Sequence, residues 1–150
     1  MALSFMHDKK IVHRDLKPQN IFLCGKDKQV KIGDFGLSKS MSTKSFMTTM
    51  GGTPLYMAPE LLNASKYTAK VDIWALGCIG YELCMLKHPF IDESYGKICQ
   101  NITSGKYPPI STKYAKYNDK LIRLITKMLV VDEKKRIAAG EIVTEISDLQ

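Results

Sequence analysis

The pattern of apolar and polar positions along the chain predicts a mainly helical domain. Residues 71–86 are apolar on nearly every helical face, which is typical of a helix buried at the centre of a domain. Another helix is predicted after Asn118, its N-cap, because apolar residues recur there at helical spacing: Leu121, Ile122, Leu124, Ile125 and Met128. Two further helices are predicted over residues 93–104, ended by Gly105, and over residues 139–146.

The first part of the chain predicts a short helix, a polar loop and a β-hairpin. Residues 1–7 are the last turns of an apolar helix with no capping residue before it, so we expect the chain to begin within a longer fold. Residues 13–20 are polar and contain Pro18, which indicates a loop. Residues 21–23 and 30–32 are two strands of a hairpin. In such an antiparallel hairpin Asn20 and Asp34 should face one another.

Residues 38–52 are rich in Ser, Thr, Lys and Gly and show little periodicity, which predicts a long, mobile loop. Long loops inside compact domains are usually functional. With one small hairpin among several helices, the predicted fold class is mainly α (α+β), a helical bundle around a buried central helix.

Composition narrows the class of protein. The chain has 150 residues, of which 45% are hydrophobic and 25% charged, as expected for one globular domain or a large piece of one. Its net charge of +7 comes from basic residues scattered along the chain. Scattered charge favours a solvated surface over a nucleic-acid-binding patch, so we predict no nucleic-acid partner.

The cysteines and the apolar segments predict the cellular location of the protein. Cys24, Cys78, Cys84 and Cys99 form no CxxC pair, which argues against a zinc site or a disulfide framework and favours a reducing compartment. The N-terminus lacks the features of a signal peptide, and the most apolar stretch, which contains Glu82, is too short to span a bilayer. We therefore predict an intracellular, cytoplasmic protein without a membrane partner.

One short region carries the side chains that phosphoryl transfer needs. That reaction uses a carboxylate near the attacking hydroxyl, hard oxygen ligands for Mg²⁺ and a cation over the migrating phosphate. Asp15 and Lys17 alternate along the polar loop. Asn20 and Asp34 converge through the hairpin as oxygen donors suited to a hard divalent ion.

Three motifs in order resemble those of eukaryotic protein kinases. The segment His13-Arg14-Asp15-Leu16-Lys17-Pro18-Gln19-Asn20 resembles the catalytic loop HRDLKxxN. Asp34-Phe35-Gly36 resembles the DFG motif, Ala58-Pro59-Glu60 resembles the APE motif, and the loop between them would be the activation segment. An eight-residue loop followed by two further motifs is a specific signal, whereas any single three-residue match would be weak.

The resemblance implies ATP and Mg²⁺ as cofactors and a role for each motif residue. Asp15 would be the catalytic base that accepts the proton of the substrate hydroxyl. Lys17 would be the cation that stabilises the transferred phosphate of ATP. Asn20 and Asp34 would bind Mg²⁺ and, with it, the nucleotide. Phe22, between Ile21 and Leu23, belongs to the segment that would form the floor under adenine.

Two features resemble the serine/threonine branch of the family, so the implied acceptors are Ser and Thr hydroxyls of proteins. Lys17 follows Asp15 by two residues, and Gly52-Thr53-Pro54 precedes the APE motif. In that branch a threonine hydroxyl bridges the aspartate and the lysine, which assigns Thr53 to substrate positioning.

Further matches imply regulatory and structural roles. Arg14 resembles the arginine that pairs with a phosphate on the activation segment, for which Thr49 is the first candidate and Thr48 the next. By resemblance, His13 and Phe35 would stack in a hydrophobic spine and Asp72 would hold the backbone of the catalytic loop. Glu60 and Arg136 correspond to a buried ion pair of the family.

The resemblance covers nearly the whole chain, as the large (C-terminal) lobe of a kinase domain with the hairpin at the cleft. No GxGxxG loop or VAIK-type lysine is present, so we expect the small lobe and the start of the first large-lobe helix to precede residue 1. The segment Asp72-Ile73-Trp74-Ala75-Leu76-Gly77-Cys78 favours the NIMA-related subgroup, which suggests microtubule or ciliary partners. The alternative is a truncated, noncatalytic lobe that acts as a protein-binding or regulatory module.

Overall fold

The computed structural model describes residues 1–34, 53–111 and 117–147 of the chain. Their helices and strands follow one another in an order that begins with a helix and the hairpin and continues with helices. The elements are α1 (Ala2–Asp8), β1 (Ile21–Cys24), β2 (Gln29–Ile32), α2 (Pro59–Leu62), α3 (Lys70–Met85), α4 (Tyr95–Ser104), α5 (Asp119–Met128) and α6 (Ala139–Ser147). The mainly α fold class with one small hairpin is confirmed.

Capping residues set the ends of the later helices, largely as the sequence predicts. The Asn118 side chain accepts a hydrogen bond from the backbone amide of Lys120 and starts α5. Ser94 caps α4 in the same way, with Lys97 as the donor. Gly105 ends α4 at φ 65°, a left-handed backbone that glycine adopts without strain.

The hairpin pairs β1 with β2 in antiparallel register, with Ile21 opposite Ile32. The backbone amide of Gly33 donates to the carbonyl of Asn20 at 2.9 Å, so the pairing continues one step beyond the strands. Gly33, and not Asp34, is therefore the residue opposite Asn20. The predicted facing of Asn20 and Asp34 is wrong by one residue, because the register extends the pairing from the strand ends to Asn20 and Gly33.

Helix α3 is the axis of the domain, as its apolar sequence predicts. Val71, Trp74 and Cys78 belong to one buried apolar cluster, which also contains Phe90 and residues of α2, α4 and α5. Ile73, Ala75 and Ile79 belong to a second cluster, with residues of α1, α5 and α6. Burial on both sides explains why α3 has no polar face.

Trp74 lies at the centre of the first cluster and is fully buried. The Phe90 ring stacks on it with ring centroids 5.2 Å apart. The guanidinium carbon of Arg136 lies 5.0 Å from the centroid of the Trp74 ring, a distance at which a cation and an aromatic face attract one another. The indole therefore has an aromatic neighbour and a cationic one.

Close packing between α3 and α5 requires glycine at position 77. A Cβ atom at Gly77 would lie 2.8 Å from the Cβ of Met128 and 2.9 Å from Cδ2 of Leu129. We expect Gly77→Ala to lower the free energy of unfolding by about 1 to 2 kcal/mol, because overpacking costs more than the helix gains from alanine. Urea unfolding followed by circular dichroism measures this change.

Gly96→Ala is the matched control for this prediction. Gly96 also lies in a helix, α4, but a Cβ there would meet nothing within 4 Å. The control should gain up to about 1 kcal/mol from helix propensity. If the Gly77→Ala protein were as stable as the Gly96→Ala protein, α3 and α5 would be able to move apart without lowering the free energy of unfolding.

Several sequence predictions lie outside the described residues: Phe35, Thr48, Thr49 and the loop of residues 38–52. The four cysteines lie within the described ranges and are unpaired. Cys78 is buried, and Cys24, Cys84 and Cys99 are partly buried. None of the helices in the described part of the chain has both the length and the apolar character needed to cross a bilayer.

Candidate active site

The loop between α1 and β1 is fixed by a carboxylate from the central helix. Asp72 is buried in the first turn of α3, and one of its oxygens accepts the backbone amide of His13 at 2.9 Å. Its other oxygen accepts the backbone amide of Arg14, also at 2.9 Å. This is the place that the kinase resemblance implies for Asp72.

A third donor reaches the same carboxylate from α1. Nε2 of His7 lies 2.8 Å from Oδ2 of Asp72, and its side chain is 12% exposed. Sequence reasoning missed His7, because a histidine on a short helix belongs to no motif. Its position one helical turn after the buried Leu3 is the signal that could have placed it against α3.

These bonds hold a strained backbone. Arg14 has φ 71°, a left-handed conformation that costs a residue with a Cβ about 1 to 2 kcal/mol. Strain of this kind persists where neighbouring contacts over-determine the backbone, and it is common at active sites. The result is that Asp15, the next residue, is presented by a rigid loop.

Asp15 forms a compact polar group with Lys17 and Asn20. Nζ of Lys17 lies 2.8 Å from Oδ2 of Asp15. The Asn20 side-chain amide donates to the same oxygen at 3.1 Å and to the Asp15 backbone carbonyl at 2.7 Å. Asn20 ends a 3-10 helix over Pro18–Asn20 and is buried. One carboxylate oxygen, Oδ2, is therefore both ionically paired with Lys17 and hydrogen-bonded to Asn20.

The hairpin is joined to the catalytic loop through His13. The ring of His13 is fully buried, and its Nε2 lies 2.9 Å from the carbonyl oxygen of Gly33. Its Nδ1 accepts the backbone amide of Asp15 at 3.3 Å. This arrangement positions Asp34, which follows Gly33 and has φ 58°, next to the loop that carries Asp15.

Phe22 lies on the same side of the hairpin as Gly33. A Cβ atom at Gly33 would be 2.7 Å from the Phe22 ring, so the ring packs directly over the glycine backbone. The Phe22 side chain is 49% exposed. The structure thus places an exposed aromatic surface beside Gly33, the residue before Asp34.

A cavity of about 350 Å³ opens beside Asp15. The polar side chains on its wall are those of Arg14, Asp15, Lys17, Gln19, Thr53, Tyr56 and Asp72. Leu16, Leu55, Met57 and Val71 contribute apolar surface. Thr53 therefore lies on the same cavity as the predicted base and lysine, as its assignment to substrate positioning requires.

The guanidinium group of Arg14 is partly buried beside this cavity. It lies over the Tyr67 ring, 5.4 Å from the centroid. Its Nε and Nη1 are buried and have no hydrogen-bond partner within the described ranges. A buried cation of this kind favours an anionic partner, in agreement with the predicted pairing of Arg14 with a phosphate.

The sequence did not reveal the contact between Tyr56 and Glu82. The Tyr56 hydroxyl donates to Oε2 of Glu82 at 2.5 Å, and Tyr56 lines the cavity that contains Asp15. Burial and this hydrogen bond to the carboxylate raise the pKa of Tyr56. A glutamate within the apolar stretch of α3 was the available signal, but its partner is 26 residues away.

Glu60 and Arg136 form a buried, bidentate ion pair below the cavity. Nη1 of Arg136 lies 2.7 Å from Oε1 of Glu60, and Nη2 lies 2.9 Å from Oε2. Arg136 also donates to three backbone carbonyls, those of Lys70, Val130 and Val131. The pair links α2, which lies directly after the cavity wall, to the segment between α5 and α6.

Asp72→Asn should disrupt the catalytic loop. The replacement leaves one acceptor oxygen for the two backbone amides and the His7 ring, so buried donors lose their partner. We expect a loss of about 2 to 4 kcal/mol, since each hydrogen bond to a charged group contributes about 1.5 to 3 kcal/mol. Urea unfolding measures the loss, and hydrogen exchange at the His13 and Arg14 amides should become faster.

Asp8→Asn provides the control, because Asp8 is exposed at the end of α1. It should leave both the stability and the exchange of the two amides unchanged within about 0.5 kcal/mol. Unaltered exchange at His13 and Arg14 in the Asp72→Asn protein would mean that Asp72 does not hold the loop.

The arrangement can activate a hydroxyl group and bind a hard cation. A carboxylate beside an ammonium group, at the mouth of a cavity, suits proton acceptance from an alcohol and stabilisation of a transferred anion. In the described part of the chain, no three His, Cys, Asp or Glu side chains cluster as a complete metal centre. Asn20 and Asp34 fit the alternative that Mg²⁺ favours, in which one or two protein oxygens act together with phosphates.

Comparisons with known proteins agree with this geometry. Residues 1–146 match the family model described as "Protein kinase domain". The G2-specific protein kinase nimA of Emericella nidulans is 52% identical over 105 residues, which are 70% of this chain and 15% of that protein. The serine/threonine-protein kinase Nek8 of Danio rerio is 46% identical over 142 residues, which are 95% of this chain and 20% of that protein.

The chain spans a small part of each of these relatives. A third, the serine/threonine-protein kinase Nek1 of Mus musculus, is 47% identical over 116 residues, which are 77% of this chain and 10% of that protein. The matched region is thus a fifth of the relative's length or less in all three cases.

Proposed function

Because the chain belongs to the protein kinase family, we propose that it is the catalytic large lobe of a serine/threonine protein kinase. The NIMA-related resemblance that the sequence predicts is confirmed by the nimA and Nek relatives. The proposed reaction transfers the γ-phosphate of ATP to Ser or Thr hydroxyls of proteins. The observation that carries the proposal is the Asp15 carboxylate, held by Lys17 and Asn20 at a cavity that Thr53 also lines.

The site residues suit each part of this reaction. Asp15 accepts the proton of the acceptor hydroxyl while the hydroxyl oxygen bonds to the γ-phosphorus and the bond from that phosphorus to the bridging oxygen breaks, so that ADP leaves. Lys17 contacts the base, and its positive charge would stabilise the charge on the migrating phosphate. Thr53 lies on the cavity wall, where its hydroxyl can orient the acceptor.

Asn20 and Asp34 are proposed to hold Mg²⁺. The Asn20 amide nitrogen donates to Asp15, which directs the amide oxygen to the opposite side as a ligand. Mg²⁺ bound there would neutralise charge on the nucleotide phosphates. Phe22, exposed on the hairpin next to Gly33, is proposed to contact the adenine ring.

We also propose that this chain is the large lobe only, and that a small lobe completes the nucleotide cleft. The hairpin exposes three large apolar side chains, Phe22 at 49%, Leu23 at 67% and Val30 at 65%. Leu23 and Val30 are paired across the strands and share one face, whereas Phe22 lies on the other face. Exposed apolar side chains on both faces of a two-stranded hairpin favour covering elements. Positioning of ATP depends on both sides of the cleft, so activity is expected of the complete protein.

The test uses the complete protein, expressed from the whole open reading frame. It is incubated with Mg²⁺, ATP carrying a labelled γ-phosphate and histone as a basic acceptor, and the labelled amino acids are identified after hydrolysis. Label on Ser or Thr, lost when Asp15 is replaced by Asn, is the expected result. A folded complete protein that transfers no phosphate would contradict the proposal and favour the noncatalytic alternative.

Regulation by phosphorylation is part of the proposal. The partly buried Arg14 guanidinium, with Nε and Nη1 unpartnered within the described residues, is suited to a phosphate on Thr49 or, failing that, Thr48. Both threonines lie outside the described residues. Microtubule or ciliary partners stay a prediction of the sequence resemblance.

A further inference from the structure

His88 is a buried polar side chain with no part in the proposed chemistry. It is 6% exposed and lies in the segment that joins α3 to α4. Its Nδ1 accepts the backbone amide of Phe90 at 3.2 Å, and Phe90 is itself fully buried and stacked on Trp74. The imidazole is thus anchored to the core of the domain on one side.

The opposite nitrogen of His88 has an unusual environment. Burial lowers the pKa of His88 to about 4, so the ring is neutral near pH 7. Since Nδ1 acts as an acceptor, the single proton of the neutral ring resides on Nε2. That N–H is buried and meets no nitrogen or oxygen acceptor within the described ranges. A buried donor without an acceptor is costly, so the packing contacts of the ring must offset that cost.

Tyr56 provides one of these packing contacts. The rings of Tyr56 and His88 lie 4.9 Å apart at their centroids and are nearly perpendicular, at 87°. Edge-to-face geometry is a preferred arrangement of two aromatic rings and stabilises their contact. Tyr56 is also held through its hydroxyl, which donates to Glu82. It is therefore restrained at both the ring and the hydroxyl.

The position of Tyr56 links His88 to the candidate active site. Tyr56 lies on the wall of the cavity that contains Asp15, Lys17 and Thr53, whereas His88 is behind that wall. An acceptor segment that places its hydroxyl at Asp15 inside this cavity lies in the same space that Tyr56 lines. The orientation of the Tyr56 ring therefore affects how well the acceptor binds.

Building on the proposed kinase function, we propose that His88 is a positioning residue for the acceptor protein, because it holds the Tyr56 ring against the cavity. It contacts neither ATP nor the reacting atoms. Its loss should consequently weaken acceptor binding and leave the chemical step intact.

The test measures steady-state kinetics of the complete protein with a serine-containing basic peptide as the acceptor. His88→Leu should raise the KM for the peptide about threefold to tenfold, with kcat and the KM for ATP within about twofold of the unaltered protein. Tyr56→Leu should raise the same KM at least as much. The double variant should be no worse than Tyr56→Leu alone, because residues that act through one contact are not additive.

Two further variants separate positioning from a loss of stability. His88→Phe keeps an aromatic ring beside Tyr56 and should return the KM for the peptide to within about twofold of the original value. His88→Gln keeps a polar side chain near the Phe90 amide without an aromatic edge, and replaces the Leu variant if that protein does not fold. Circular dichroism of each variant shows that the domain is folded at the assay temperature.

Three results would overturn the inference: an unchanged KM for the peptide in His88→Leu, additive effects in the double variant, or a fall in kcat with an unchanged KM. In all three, phosphate transfer by the unaltered protein still supports the proposed function. Failure of the unaltered protein to transfer phosphate would instead overturn the proposed function itself, together with this inference.

Discussion

Replacing Asp15 by Asn in the complete protein should lower phosphate transfer by about 10²- to 10⁴-fold, the usual contribution of a positioned general base. Asn has nearly the same shape as Asp, but its amide cannot accept the proton of the acceptor hydroxyl. It also removes the negative charge that lies 2.8 Å from the Lys17 ammonium group. The loss should therefore appear in kcat, whereas the KM values for ATP and the acceptor change little.

Asp119→Asn is the control for this replacement, since Asp119 is exposed in the first turn of α5. It should retain the kcat of the unaltered protein. The Asp15→Asn protein should keep the hydrogen bond from the Asn20 amide to the backbone carbonyl of residue 15, so circular dichroism should show an unaltered fold. A folded Asp15→Asn protein with more than about a tenth of the original kcat would exclude Asp15 as the base.

Replacing Arg136 by Ala should lower the free energy of unfolding of the chain by about 3 to 5 kcal/mol. The change leaves the Glu60 carboxylate, 8% exposed, as a buried charge without its partner. It also removes the donors to the carbonyls of Lys70, Val130 and Val131. Domains are stable by only about 5 to 15 kcal/mol, so this single change removes a large share of the total.

Urea unfolding followed by circular dichroism measures the effect, with Lys135→Ala as the control. Lys135 is the neighbouring residue, its side chain is 80% exposed, and its replacement should cost less than about 0.5 kcal/mol. Arg136→Lys should give an intermediate loss, because an ammonium group keeps the charge but cannot form the two parallel bonds to Glu60. This variant also keeps the test decisive if the Ala variant does not fold.

A double variant measures the interaction between Glu60 and Arg136 apart from the contacts that each makes with other residues. Glu60→Ala combined with Arg136→Ala removes both charges, so the combined loss should be smaller than the sum of the two single losses. Additive losses, or an Arg136→Ala protein as stable as Lys135→Ala, would show that the buried pair does not carry the stability assigned to it.

The sequence predicts those features of the fold that depend on neighbouring residues. Asn118 and Gly105 mark helix ends through their own backbone and side-chain chemistry, and the structure places helix ends there. The apolar residues of α3 predict a central helix, because a helix that is buried over most of its length has few positions for a polar face. Local signals of this kind need no knowledge of the tertiary structure.

Other features depend on contacts that no local signal contains. Helix α2 is a single turn, too short to be stable alone, and its Glu60 is held by Arg136 from 76 residues away. The expected facing of Asn20 and Asp34 missed by one residue, because only the register of the hairpin determines which residues oppose one another.

In the candidate site, too, some residues could be predicted from local sequence, whereas others depend on tertiary contacts. The order of Asp15, Lys17 and Asn20 along one loop made them identifiable, and the short distances between them follow from that proximity in sequence. His7, Tyr56 and His88 contribute to the site or its walls through partners on other elements. The local sequence around each of these three residues contains no signal for its role, because its partner is distant along the chain.

The environment of Trp74 provides an optical reporter of this domain. It is the only tryptophan in the sequence, and it is fully buried between Phe90 and the Arg136 guanidinium. The indole fluorescence of the folded chain should therefore be shifted to shorter wavelength than that of indole in water, and it should return to longer wavelength on unfolding. Since the guanidinium lies over the ring, the emission of folded Arg136→Lys protein should also differ from that of the unaltered chain.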